Sequence, residues 1–453
     1  MAIKQVQVDV NELTVGMFVS GLDRPWTQTP FPLQGFYLRD LDEIKELKVH
    51  CNYVYIDIVK GPGPVATKLK KLKGGASAKR SSRTTNRAKF TDVAPLKVRR
   101  DMYQQVAPVE KEVGRARDLH QQVHKAVGSV LEHIEADSAN IPIKETKRVA
   151  SAMVDSVLRS PDAFSWLTRV REKDEHTYSH AVRSAIWAIL FGRHIGLPKP
   201  ELDVLAMGVL LKDIGKTKLP RHLIEKKSLS DTEQATYEHF VEYGVEILRA
   251  LPEIKPRVTS VVKTHCERVN GSGFPNHLKG DKIPLVGKIA GIVTFYDETT
   301  NPRGVSPLSP SRAVSKLYDS RGIEFQEELV VEFIRAIGLY PTGTFVELSN
   351  GEVALVMEQN FERRLKPKVM VVIDAYKEKL SKPYVLDLAK DEREKQAKID
   401  AGKLSRDEVE HIDIVQDLQP GAYDIDLSNV QEKYLDKKQG NVLKSFFKKI
   451  PGF

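Results

Sequence analysis

The sequence predicts a mainly α-helical fold: a helical bundle with a C-terminal β-hairpin appendage, preceded by a small α/β domain and a basic linker. Three observations lead there. From about residue 100 to 340, apolar residues recur at helical spacing in one long stretch after another. Before residue 60 and after residue 340 the pattern changes to short strand-like runs. Between the first two regions, residues 60–89 are rich in Gly, Pro, Ser, Lys and Arg and almost free of large apolar side chains.

Residues 1–60 read as the small α/β domain, with strands at 3–10, 17–21 and 54–59 and a short helix at 38–47 that has Asp40 and Asp42 near its start. Residues 61–99 are the linker, because such a composition cannot offset its ordering entropy by burial. Its charge suits a solvated tether or an arm for RNA or an acidic membrane surface, and it interleaves no aromatic residues to stack on bases. Residues 100–145 form a helical arm whose Val106, Val113, Ala116, Leu119, Val123 and Val127 keep helical spacing. That stripe fits either a homodimer coiled coil or an arm packed on the bundle.

The bundle and its appendage occupy 146–375. Helices are expected near 144–158, 180–195, 201–211, 231–251 and 256–265, with Gly196 and Pro198 closing one of them. Strands follow at 345–348, 353–357 and 369–373, the first two joined by a turn at Ser349, Asn350, Gly351 and Glu352. Residues 376–453 form a charged C-terminal extension in which Leu443, Phe446, Phe447 and Ile450 share a helical face.

A chain of 453 residues is long enough for two or three domains, and 41% apolar residues excludes disorder of the whole. No apolar run approaches the roughly 20 residues that cross a bilayer, and the start lacks a secretory apolar segment. Only Cys51 and Cys266 occur, too few for a disulfide framework, so a cytoplasmic location is expected. The net charge of +9 suits a nucleic acid, an acidic lipid or a phosphate ligand and selects none of them.

Four places carry chemistry. His176 and His180 stand four apart, on one helical face. Lys212-Asp213-Ile214-Gly215-Lys216 follows an apolar helix. His239 lies in a further helix, and His265-Cys266 precedes Asn270-Gly271-Ser272-Gly273-Phe274-Pro275, by itself only a turn signal.

In this order the motifs resemble the HD-GYP family, bacterial metal-dependent phosphodiesterases that cleave cyclic di-GMP. The stretch from His265 to Pro275 resembles the family's HHExxDGSGYP, and residues 210–216 resemble its LHDIGK. The resemblance runs through about residues 150–375 and implies an HD-domain fold with two or three cations, which lower the pKa of a bridging water. It implies metal ligands at His180, Asp213, His239 and His265, with His176 where many members have Glu and Cys266 for the second His of the pair. Iron, manganese or zinc would suit such donors. Asp213 and Lys216 take the catalytic positions, Lys216 matching the lysine that contacts substrate phosphate. Arg268, Gly273, Phe274, Pro275 and Arg303 line the implied substrate site.

The departures fall on the ligands. Lys212 replaces the His of the HD pair, and a protonated lysine has no lone pair and repels a cation. Thr294 stands in place of a ligating Asp, a neutral hydroxyl for a carboxylate. Asp213 can pair with Lys212 instead of metal.

Three readings follow: a degenerate HD-GYP protein that binds cyclic di-GMP or docks on a diguanylate cyclase (GGDEF) domain with weak or no hydrolysis; an active phosphodiesterase using His176, His180, Asp213, His239, His265 and Cys266; or a scaffold held to RNA or membrane by residues 61–89. The ligand departures at Lys212 and Thr294 favour the first.

Overall fold

The computed structural model describes residues 5–58, 96–168 and 176–424 apart from scattered short breaks; the side chains of residues 176–178 are outside that description. The basic segment to residue 95 and the terminal apolar face beyond residue 424 therefore lie outside the described residues. The chain forms two compact units.

One unit draws on residues within 1–88, 360–367 and 387–413. Its β1 (Gln5–Asp9), β2 (Phe18–Leu22), β3 (Phe36–Tyr37) and β4 (Tyr53–Asp57) form an antiparallel sheet in the order β1-β4-β2-β3, with Val8 opposite Val54. Helix α1 (Leu41–His50) adds Ile44 and Leu47 to a core with Met17, Val19, Val54 and Ile56. Alternating apolar residues thus bury one sheet face under one helix. In the later segments of this unit Lys366, 1% exposed, is ringed by Glu392 Oε2 at 3.0 Å, Asp413 Oδ1 at 2.7 Å and the Ile412 carbonyl at 2.9 Å.

The other unit is mainly helical. Helix α2 (Val109–Glu135) buries Val113, Ala116, Leu119, Val123 and Val127 and packs on α3 (Ile143–Arg159) and α4 (Pro161–Leu167). Its apolar stripe is thereby used within the chain, as a packed arm. Helices α5 (His176–His194), α6 (Lys199–Leu210), α10 (Pro256–Thr264) and α11 (Leu285–Thr300) form the centre, where the edge-on pairs Trp187–Tyr296 and Tyr296–Phe333 have ring centroids 5.5 and 5.3 Å apart. Between α6 and α10 run a 3₁₀ turn (Ile214–Lys218), α7 (Arg221–Glu225), α8 (Asp231–Glu238) and α9 (Phe240–Arg249); α12 (Pro310–Asp319) and α13 (Glu327–Ile337) close the bundle.

One expected helix is two. The stretch 231–251 breaks at His239; Phe240 is in the core at 3% exposure while the His239 side chain stays 56% exposed. The 3₁₀ turn lies hard against α9: a Cβ on Gly215 would be 1.9 Å from the Phe240 carbonyl oxygen, so only glycine fits.

After α13, β5 (Phe345–Leu348) and β6 (Val353–Glu358) pair as the sequence predicts, with Gly351 at φ 82° in the turn, and β7 (Lys368–Ile373) pairs with β6. Two strands not foreseen, β8 (Lys379–Asp387) and β9 (Ile414–Asp417), extend the order to β8-β7-β6-β5-β9. Trp166 Nε1 donates to the Met357 carbonyl at 2.8 Å, tying α4 to β6. Among the described residues no helix is long and apolar enough to cross a membrane.

Candidate functional site

Helices α5, α6 and α11 bring a cluster of ionised and neutral polar groups into the interior. His180 is near the start of α5, and its Nδ1 is 2.6 Å from Asp297 Oδ2 on α11. Arg183, less than one turn further along α5, donates from Nε and Nη2 to the two Asp297 oxygens at 3.0 and 3.1 Å. Burial opposes ionisation of Asp297, yet Arg183 and the His180 hydrogen bond outweigh it and hold the carboxyl well below the usual range. An ionised Asp297 accepts the Nδ1 proton, which leaves a lone pair on His180 Nε2.

That lone pair meets a lysine. Lys212 Nζ is 2.7 Å from His180 Nε2, donates also to Asp213 Oδ2, and belongs to a side chain that is 0% exposed. Lys216 Nζ is 2.7 Å from Asp213 Oδ1 and lies 4.9 Å from the Phe240 ring centroid and 5.6 Å from that of Tyr237. Burial disfavours the Asp213 anion, but Lys212 and then Lys216 hold its pKa well below normal; Asp213 likewise raises that of Lys216 against the effect of burial.

His265 closes the floor. Its Nδ1 donates to the Val262 carbonyl at 2.8 Å, and its Nε2 is 3.3 Å from Cys266 Sγ. Burial first, and then the Lys212 charge, depress the imidazole to about 3, while burial pushes the Cys266 thiol up to about 12. At neutral pH both groups are uncharged.

The sequence-predicted residues therefore divide. His180, Asp213, Lys216 and His265 with Cys266 converge, and Lys212 sits among them. His239 does not join: its Nδ1 pairs with Glu242 Oε2 at 2.7 Å on the solvent side of α9, and the apolar Phe240 beside it takes the inward place. His176 begins α5, and its side chain is outside the described residues. Thr294 is buried with no hydrogen-bond partner for Oγ1.

Arg268 is a clamp and not an open rim charge: it covers the Phe325 ring at 4.8 Å and donates to the carbonyls of His265 and Glu267 at 3.3 and 3.0 Å. Arg303, on an exposed loop, donates to the Ile224 carbonyl at 3.1 Å. Phe274 packs edge-on against Phe240 at 6.2 Å and precedes the cis peptide of Pro275. Gly273 is obligatory, since a Cβ there would meet the Cys266 carbonyl oxygen at 2.3 Å. The loop hangs on Glu267, 3% exposed, which accepts from the backbone N–H groups of Asn276 and Leu278 at 2.8 and 2.9 Å.

Sequence reasoning missed Arg183, although its place three residues after His180 puts both on one face. It also passed over Glu298, whose Oε1 is 3.8 Å from His180 Nε2. Phe240, the ring beneath Lys216, was passed over as well, although Gly244 stands four residues after Phe240 and five after His239, one off the HxxxG spacing that the resemblance implies.

Among the described residues the donors are engaged with lysine and with one another. The nitrogen and the carboxylate that should converge on one ion already converge on an ammonium, and among the described residues no group of three His, Cys, Asp or Glu side chains is arranged to hold a metal.

Comparison with known proteins finds three matching family models. Residues 169–329 match the HD domain, residues 5–141 a domain of unknown function (DUF3391), and residues 345–394 a KOW domain associated with the HD domain. A cyclic di-GMP phosphodiesterase of Pseudomonas aeruginosa is 27% identical over 378 residues, which cover 82% of this chain and 85% of that protein. The 3'3'-cGAMP-specific phosphodiesterase 2 of Vibrio cholerae is 30% identical over 36% of this chain and 31% of its own length. Among solved structures, an HD-GYP-type protein of Bdellovibrio bacteriovorus covers 73% of this chain and 98% of its own at 16% identity, with a TM-score of 0.43.

Proposed function

We propose that this chain, an HD-domain protein with a DUF3391 domain before it, serves cyclic di-GMP signalling as a binding or docking module and does not hydrolyse the dinucleotide. HD-domain phosphodiesterases depend on metal, and the relatives at hand are named for cyclic-dinucleotide hydrolysis. The observation that carries the proposal is the charge balance of the cluster. Two buried carboxylates, Asp213 and Asp297, face three cations, Lys212, Lys216 and Arg183. Adding divalent ions there would concentrate positive charge in a low-dielectric interior, where such repulsion is least screened.

Without a metal-bound hydroxide this site has no strong nucleophile. Cys266 is protonated, His265 is neutral but committed to Val262 and Cys266, and Asp213 is held by two ammonium groups. What remains is a recognition surface of cyclic di-GMP or GGDEF-domain character, on the face that carries Lys216 and the loop through Phe274. A homodimer through α2 loses support because that stripe is used inside the chain.

The test is a hydrolysis assay on cyclic di-GMP with the purified full chain and added iron, manganese or zinc salts, run beside calorimetric binding of the same dinucleotide and capture of a GGDEF domain. Binding of either without product is expected. Turnover that Asp213→Asn abolishes would reject the proposal, and absence of binding to both would reject the recognition role.

A further inference from the structure

The geometry points to Lys212 as a permanent structural replacement for one metal ion: its ammonium occupies the place where two donors converge, so the helical unit folds without divalent metal, and one exchange, Lys212→His, returns a one-metal site. The inference rests on the non-hydrolytic reading only in placing the ammonium at a former metal position, and it concerns folding, not catalysis.

Orientation supports it. Asp297 fixes the His180 tautomer by taking the Nδ1 proton, as a carboxylate does behind a metal-bound imidazole, and Arg183 anchors that carboxylate in turn. The supporting shell is thus still built to aim Nε2 at a cation. The cation it meets at 2.7 Å is Nζ of Lys212, and the same Nζ donates to the Asp213 oxygen. A neutral nitrogen and a carboxylate oxygen sharing one cationic partner form a donor pair that suits a borderline divalent ion.

The side chain of Lys212 is 0% exposed and the next residue is Asp213, so the ammonium arrives from the backbone position that an imidazole would use. Replacing it by imidazole gives three protein donors, His180, Asp213 and the new ring, which is enough for a site completed by water. His265 is not needed, since its Nε2 is turned to Cys266. Lys216 remains on the other Asp213 oxygen and limits the site to one ion.

The experiment is thermal unfolding of the full chain and of Lys212→His and Lys212→Met, each after chelator treatment and with manganese or zinc chloride added, with bound metal counted by plasma mass spectrometry. The wild type is expected to give the same Tm in chelator and in metal. Lys212→Met should unfold at lower temperature under both conditions. Lys212→His should bind about one equivalent and gain several degrees with metal, as ligand linkage requires. A wild-type Tm that rises with manganese or zinc, a Lys212→Met protein as stable as wild type, or a folded Lys212→His protein that takes up no metal overturns the inference. If Lys212→His does not fold, the wild type and Lys212→Met decide alone. Hydrolysis with these Tm results intact would remove the proposed function and leave this inference standing.

Discussion

His265 makes the stability of the helical unit sensitive to acid above the range where carboxylates titrate. Its folded-state pKa of about 3 lies below the usual histidine value because burial and the nearby Lys212 charge oppose protonation. A group with a depressed folded pKa stabilises fully above its unfolded pKa, here about 6.5, and that contribution is lost as pH falls toward the folded value. Each pH unit below about 6.5 should remove roughly 1.4 kcal/mol, about 2.7 kcal/mol by pH 4.5. Asp213 and Asp297, both depressed, keep their contributions above about pH 4 and lose them only below it, so they do not contaminate this window.

The assay is urea unfolding of wild type and His265→Asn at several pH values between about 7 and 4.5. Asparagine keeps a donor for the Val262 carbonyl but does not titrate, so the variant should start less stable and show the shallower slope, cancelling the contributions of the other histidines in the difference. Parallel slopes for the two proteins would refute the reasoning, because they would mean that His265 takes up its proton as easily folded as unfolded.

Two further outcomes follow from the same contacts. Asp297→Asn leaves Arg183 without its carboxylate and frees the His180 tautomer, and should cost about 3–5 kcal/mol in urea unfolding; a loss below about 1 kcal/mol would show that the pair is not held as described. Glu267→Gln keeps the shape but only one good acceptor for two backbone donors, and should raise amide exchange at Asn276 and Leu278 while α5 and α11 stay protected. Unchanged exchange in the loop would remove Glu267 as its support.

Much of the architecture was legible along the chain because it rests on local periodicity. The strands of the hairpin, the ends of α3 and α10, and the amphipathic α2 follow from which residues are apolar and how they are spaced. The helix break at His239 was not legible: the stretch 231–251 holds no proline and its one glycine, Gly244, lies beyond the break, which falls where Gly215 meets the Phe240 carbonyl, some 25 residues along the chain. Strands β8 and β9 were missed because both are edges of the sheet, short or largely exposed, and carry little of the alternating burial that marks an inner strand.

The chemistry of the site divides in the same way. Reading residues 210–216 was enough to establish that an ammonium stands beside Asp213, since that depends on side-chain type and adjacency alone. Only the folded chain decided that this ammonium meets His180, that Arg183 and Asp297 stand behind the imidazole, and that His239 faces water. Those outcomes depend on how helices rotate and pack against partners distant in the chain, 32 residues for Lys212 with His180 and 117 for His180 with Asp297, and the hydrophobic cost of leaving Phe240 outside, not the identity of His239, sets which of the two neighbours turns inward.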